Sequence, residues 1–196
     1  MKRLTLLLSL AVLALVARVR PADASVMLAL DFPALVAQAD HVVVGNVESS
    51  TSHWDGSGRI VTDVSIRVDE TMMGDRATGE VLVVTHLGGA VGEVGLHIEG
   101  EARFAVGERA LVFGANVRGS STLVRVVGMS QGAFEIRAMP EHPGEDMVMP
   151  SGAGLALMQR VQNSRLLPAP PALLEPRSLS SLRPMLRELI GARGAR

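Results

Sequence analysis

The sequence has 196 residues, of which 47% are hydrophobic and 3% aromatic, and it contains no cysteine. The missing cysteines exclude disulfides, thiolate metal sites, a thiol nucleophile and a lipid-modified N-terminal cysteine. With one tryptophan and no tyrosine, the composition disfavours a surface that stacks on sugars or bases. The length and apolar content fit one well-packed domain with an appendage.

Charge is divided unevenly along the chain. Residues 25–150 carry 8 Arg and 17 acidic residues, a net charge of −9, whereas residues 151–196 carry 7 Arg and 2 Glu, a net charge of +5. An acidic body repels phosphates, so we expect no nucleic-acid partner. The basic C-terminal segment is expected to dock on this body, to contact a partner or to be solvated.

The first 24 residues have the pattern of an export signal. Lys2 and Arg3 precede an apolar run over residues 4–16, and residues 22–24 supply the small-x-small motif that signal peptidase reads. The apolar run is too short to cross about 30 Å of hydrocarbon, which disfavours a membrane anchor. We predict cleavage before Ser25, a periplasmic or extracellular location, and no membrane span after cleavage.

A short helix and a strand are predicted next. Asp31 is a suitable N-cap, Pro33 is tolerated in the first turn, and the helical pattern ends near Asp40. A strand is predicted over residues 41–49. The Ser, Asp and Gly content of residues 50–58 predicts a loop.

The clearest strand signal lies at residues 60–69, where apolar and mostly polar residues alternate. A period of two indicates a strand with one face on a core and the other toward solvent. Further strands are predicted at residues 80–86, 96–98, 109–113, 123–127 and 133–137. Their short, turn-rich connections favour a sandwich or small barrel over a parallel α/β sheet.

The C-terminal third has a different composition. Residues 140–154 are rich in Pro, Gly and Met and are predicted to form a linker. Residues 155–196 are predicted to form a helical, Arg-rich appendage, with helices at 155–166 and 178–190 around a stiff proline-rich spacer. The second helix has an apolar stripe opposite Arg183 and Arg187; the stripe is Leu179, Leu182, Met185, Leu186 and Leu189. The helix is expected to dock through Leu182, Met185 and Leu189.

Three sequence features occur in a suggestive order. They are ADHVVVGNV at residues 39–47, a long alternating strand that ends before Gly74, and GERALVF at residues 107–113. In this order they resemble the netrin-like, or tissue-inhibitor-of-metalloproteinase-like, OB-fold domain of secreted proteins. The resemblance, over residues 39–113, implies an OB-like barrel and a protease-binding or inhibitory role. The family's zinc-chelating N-terminal cysteine has no counterpart in this cysteine-free chain.

The fold prediction is therefore mainly β. We expect a small closed antiparallel, OB-like β-barrel over residues 25–139, with a short N-terminal helix and the helical C-terminal appendage.

Two glycine motifs are interpreted structurally. Residues 128–132, GMSQG, match the G-x-S-x-G nucleophile motif but lie between two predicted strands, so we interpret them as a turn. The glycine-rich residues 88–95 lack the following helix that a phosphate-binding loop needs. We interpret them as a mobile loop over one end of the barrel.

The five histidines lack the spacing of a zinc site. His86 and His97 flank the glycine-rich segment and, with Glu99 or Glu101, could converge on a metal. Solvent-facing histidines at strand ends are the simpler interpretation. We predict no catalytic residues, no metal and no cofactor.

The loop after the first barrel strand carries the most distinctive side chains. Such loops of OB-folds contact ligands, and tryptophan is enriched at binding hot spots. The alternative is that Trp54 folds back over the barrel end. The predicted partner-binding residues are His53, Trp54, Asp55, Gly88, Gly89 and Gly92.

These observations favour an exported, non-enzymatic binding domain whose partner is a secreted or envelope protein. The alternatives are an exported metal-dependent hydrolase and an envelope-associated structural protein whose basic tail contacts anionic surfaces.

Overall fold

The computed structural model describes residues 25–117, 120, 123–151, 155–161, 165–170 and 175–195. The predicted export signal, residues 1–24, lies outside the described residues. Within these described ranges, no helix is both long and apolar enough to span a membrane.

Five strands close into a barrel. They are β2 (His41–Trp54), β3 (Ile60–Met73), β4 (Val81–Leu87), β7 (Arg109–Asn116) and β8 (Val124–Val126). The order around the barrel is β2, β3, β4, β8, β7 and back to β2. All neighbours are antiparallel except β4 and β8, which pair in parallel through Val84 and Val124. The closed barrel is confirmed, with one parallel seam that the antiparallel prediction did not contain.

The alternation on β3 follows the prediction. Its inward residues are buried, namely Ile60, Thr62, Val64, Ile66 and Val68. On the other face Arg67 and Asp69 are exposed and Asp63 is half-buried. Val61 also lies on the outer face but is only 7% exposed. It forms part of the wall of a groove described below.

Two apolar clusters hold the fold together. The first fills the barrel and includes Val43 of β2 and Val112 of β7. The second lies on the opposite face of these strands and includes Val42 and Leu111. Because β2 and β7 are buried on both faces, their sequences are continuous apolar runs rather than alternating ones.

Two helices cover the second cluster. They are α1 (Phe32–Gln38) and α2 (Leu179–Gly194). Asp31 caps α1 as predicted, accepting a hydrogen bond from the Ala34 amide at 2.9 Å. Leu179, Leu182 and Leu186 of α2 are each at most 1% exposed. The predicted docking of the C-terminal helix on the body is confirmed.

The predictions for residues 140–166 are wrong where the structure describes this segment; residues 152–154 and 162–164 lie outside the described residues. The predicted linker contains strand β10 (His142–Pro150), which pairs with β9 (Ala133–Met139). The predicted helix at 155–166 is instead strand β11 (Leu155–Arg160), which pairs with β1 (Ser25–Leu28) and with β12 (Leu166–Pro168). A two-residue strand, β13 (Arg177–Ser178), pairs with β10.

Local composition predicts a linker and a helix in these segments, but strand pairing decides their secondary structure. Pro143 and Gly144 suggested a linker, but they lie in the irregular stretch between His142 and Asp146 that interrupts the ladder. Beyond it, Met147 and Val148 are 5% and 2% exposed. Pairing with the preceding strand β9 and burial of Met147 and Val148 therefore make a strand of a segment that has turn composition.

Candidate functional site

The β2–β3 ribbon is longer than predicted. Strand β2 continues to Trp54, with His53 opposite Val61 and Trp54 opposite Ile60. The predicted loop at residues 50–58 is therefore strand in its first half. His53 and Trp54 occupy the end of a strand, where backbone pairing fixes their position.

Asp55 belongs to the turn that follows. Its Oδ1 accepts hydrogen bonds from the amides of Ser57 and Arg59, each at 2.9 Å. Its Oδ2 accepts from Arg59 Nε at 2.9 Å and Nη2 at 2.7 Å. These bonds, chiefly the backbone and side-chain bonds from Arg59, lower the pKa of the Asp55 carboxyl. Asp55 shapes the turn, and its carboxylate is occupied within the chain.

Trp54 is 49% exposed. The indole is therefore not enclosed in the barrel interior, and about half of its surface is accessible to solvent. Its cross-strand neighbour Ile60 is 1% exposed and occupies the interior below it. A half-exposed indole next to a filled core is available for contact with another molecule.

The glycine-rich segment is a hairpin, not the loop that the sequence predicted. Its strands are β5 (Gly89–Val91) and β6 (Val94–Leu96). The hairpin lies against the ribbon: Thr62 Oγ1 donates to the Gly88 carbonyl at 2.6 Å, and Ser52 Oγ lies 2.8 Å from Thr62 Oγ1. The Ala90 amide donates to Ser52 Oγ at 3.3 Å. We call residues 88–96 the glycine hairpin.

Gly89 is required at this contact. A Cβ atom there would lie 2.2 Å from Ser52 Oγ and 2.3 Å from Thr62 Oγ1, and the φ of Gly89 is +127°. A Cβ on Gly92 would meet open space. The structure thus brings the two predicted partner-binding segments side by side, with Gly88 and Gly89 at the contact and Gly92 at the free end.

A groove of about 430 Å³ lies on the outer face of the ribbon and of β4. Its polar lining is His53, Arg59, Asp63, Thr85, His86 and Arg125. Val117 and Leu123 close one side, joined by a hydrogen bond from the Val117 amide to the Leu123 carbonyl at 2.9 Å. We call this cavity the ribbon groove. Sequence reasoning missed it, because Asp63 and Thr85 meet only through the β3–β4 register.

Most charges in the ribbon groove are paired internally. Asp63 Oδ1 accepts a hydrogen bond from Thr85 Oγ1 at 2.5 Å, and its Oδ2 lies 3.7 Å from His53 Nδ1. His86 Nδ1 lies 3.1 Å from the Leu87 carbonyl oxygen. Arg125 is exposed, and no hydrogen bond or ion pair joins its guanidinium group to another described residue.

The residues of the hydrolase alternative each have a hydrogen-bond partner within the chain, and three of them, His86, His97 and Glu101, line one cavity. His97 Nε2 lies 2.9 Å from Glu99 Oε1 and 2.9 Å from Arg103 Nη2. Glu101 Oε1 accepts from the Leu87 amide at 2.9 Å. This second cavity has a volume of about 360 Å³. In the part of the chain that the structure describes, no three His, Asp or Glu residues are placed to hold a metal ion.

The GMSQG motif is a turn, as interpreted. It forms a 3₁₀ helix, Met129–Gly132, between β8 and β9. Ser130 is 1% exposed, and its Oγ has no hydrogen-bond partner among the described residues. A buried hydroxyl at this position is closed to a substrate from solvent.

Comparison with protein-family models, curated protein sequences and solved structures finds no match to this chain. The netrin-like resemblance therefore stays a prediction based on short motifs. Two of these motifs, residues 39–47 and 107–113, lie on neighbouring strands, where Gly45 pairs with Ala110.

Proposed function

We propose that this protein is an exported, non-enzymatic binding domain that captures a secreted or envelope protein at the end of the β2–β3 ribbon. The observation that carries the proposal is the 49% exposure of Trp54, the one tryptophan of a chain with 3% aromatic residues. Tryptophan buries a large area on binding and is enriched at interface hot spots.

The surroundings of Trp54 support this proposal. In the neighbouring glycine hairpin, Val94 is 51% exposed and Leu96 is 36% exposed. On the other face of the ribbon, His53 and Asp63 line the ribbon groove. Exposed apolar side chains beside a half-exposed tryptophan are the kind of surface that a protein partner covers.

Protease binding or inhibition is one form of this function, and it rests on fold analogy alone. An inhibitor of this kind would have to act through Trp54 and the glycine hairpin. The cysteine-based chelation used by the metalloproteinase inhibitors needs a residue that this chain does not contain.

The test is capture by the immobilised protein, residues 25–196, from the exported fraction of its source cells. The captured protein is then purified and its 1:1 binding measured by calorimetry. Trp54→Ala is expected to weaken binding by about tenfold or more, the usual cost at an aromatic hot spot.

The matched control is Val106→Ala, since Val106 is also exposed, by 63%. It lies in the turn where the Gly107 amide donates a hydrogen bond to the Val47 carbonyl, at the middle of β2 and seven positions before Trp54. Equal binding by Trp54→Ala and the unmodified protein would overturn the proposal. Catalytic turnover of the captured protein would also overturn it and favour the hydrolase alternative.

A further inference from the structure

We propose that the ribbon groove binds a carboxylate group of the partner protein and that Arg125 is its receptor. This inference rests on the proposed binding function and adds the chemical class that the groove recognises. It is carried by the distribution of paired and unpaired charges among the residues that line the cavity.

Both carboxylates of the groove have donors within the chain. Asp55 is bound by Arg59 and by two backbone amides. Asp63 accepts a hydrogen bond from the neutral hydroxyl of Thr85 and lies 3.7 Å from His53, so its negative charge has no arginine partner.

The basic residues leave one charge uncompensated. Arg59 is held by Asp55, whereas Arg125 lines the same cavity without an ion pair to any described residue. A guanidinium presents its donors in a planar fork that matches the two oxygens of a carboxylate. An unpaired guanidinium at a cavity wall therefore favours a carboxylate ligand.

A singly charged ligand fits better than a phosphate. The single free guanidinium pairs with one carboxylate, and a dianion would place its second charge near Asp63, whose negative charge has no arginine partner. The apolar part of the lining, Val61, Leu87 and Leu123, suits the aliphatic stem of a glutamate. A cavity of about 430 Å³ accommodates such a side chain with its backbone.

Trp54 provides a reporter for the test. His53 and Asp55, its neighbours in the chain, both line the groove. The chain has no other tryptophan and no tyrosine, so indole fluorescence reports this region alone. Occupation of the groove is expected to change that fluorescence.

The probes are two pools of synthetic peptides with acetylated and amidated ends, a central Glu or Gln, and random flanking residues. Titration of residues 25–196 is expected to give binding about fivefold tighter for the Glu pool, as for a solvent-accessible charged hydrogen bond. Arg125→Gln should remove this difference. Arg160→Gln, an exposed arginine of the separate β1–β11–β12 sheet, should retain it.

Further arms identify the source of the anion. One arm uses a Gln pool that has a free C-terminal carboxylate. If this pool binds as tightly as the Glu pool, and if Arg125→Gln weakens that binding, the groove recognises chain ends rather than side chains. Inorganic phosphate that displaces the Glu pool better than acetate at equal concentration would overturn the carboxylate assignment.

The inference also fails if the unmodified protein does not bind the Glu pool more tightly than the Gln pool, or if the preference survives in Arg125→Gln. Unchanged circular dichroism and melting of the variant exclude misfolding as the cause. Loss of Glu preference with intact, Trp54-dependent capture would overturn this inference alone. Glu preference without Trp54-dependent capture would overturn the proposed function alone.

Discussion

Arg183 donates a hydrogen bond from Nε to Oε2 of Glu70 at 2.8 Å, joining helix α2 to strand β3 across 113 positions of sequence. Arg187 adds a longer contact to the same carboxylate, at 3.4 Å. The basic C-terminal helix is thus docked on the acidic body, which was one of the three outcomes expected from the charge distribution.

The helix should be held more by its apolar stripe than by this ion pair. Leu182→Ala is expected to lower the free energy of unfolding by about 2–5 kcal/mol, because the side chain is 1% exposed. Arg183→Gln should cost less than about 1 kcal/mol, because both partners remain partly solvated. Urea unfolding measures both values, and a larger loss for Arg183→Gln would contradict this ranking.

The two faces of β3 should respond oppositely to a new charge. Val64→Asp puts a carboxylate into the barrel interior, where Val64 is 0% exposed, and is expected to cost several kcal/mol. Ser65→Asp, on the outer face, should shift stability by less than about 1 kcal/mol. Equal shifts of the urea midpoint would contradict the inward assignment of Val64.

The contact beneath Gly89 should not tolerate a methyl group. Gly89→Ala is expected to displace the glycine hairpin from Ser52 and Thr62, because its Cβ would overlap both hydroxyls. The Ala90 amide, which donates to Ser52 Oγ, should then lose protection from hydrogen exchange.

Gly92→Ala is the control for that substitution. Gly92 also has a positive φ, +61°, but its Cβ would meet open space. A cost of about 1–2 kcal/mol from the left-handed backbone is expected, with protection at Ala90 retained. Retained protection in Gly89→Ala would show that the hairpin does not depend on this contact.

Glu108 should make stability depend on pH. Burial raises the pKa of its carboxyl above 4.5, the hydrogen bond from the Ala105 amide opposes this, and nearby Glu135 adds to it. The folded protein therefore binds this proton more tightly than the unfolded chain. Protonated Glu108 therefore contributes to the free energy of unfolding below pH 4.5. That contribution is lost as the pH rises from 4.5 through the folded-state pKa.

Replacing the carboxyl by an amide should remove that loss. Glu108→Gln is expected to raise stability at neutral pH by no more than about 1 kcal/mol, because the site is partly exposed, with the gain vanishing at low pH. Urea midpoints at both pH values measure it, and the exposed Glu141→Gln is the control. A gain that is equal at both pH values would contradict the role of this proton.

Local periodicity determined several elements directly. The alternation at β3 and the apolar stripe of α2 could be predicted, because each pattern records which residues meet the core. The Asp31 cap of α1 could be predicted because its carboxylate accepts a hydrogen bond from a free amide of the first turn. The sequence also singled out Trp54 and the glycine-rich segment. Its composition could not say whether the indole faces the interior or solvent.

Pairing between strands decided the rest. Strand β10 forms against β9 although its composition is that of a linker, and β11 forms against β1 from the other end of the described chain. The ribbon groove exists because the β3–β4 register places Thr85 beside Asp63 and because β8 brings Arg125 to the same face. Such proximities depend on closure of the barrel, which no local pattern of side chains encodes.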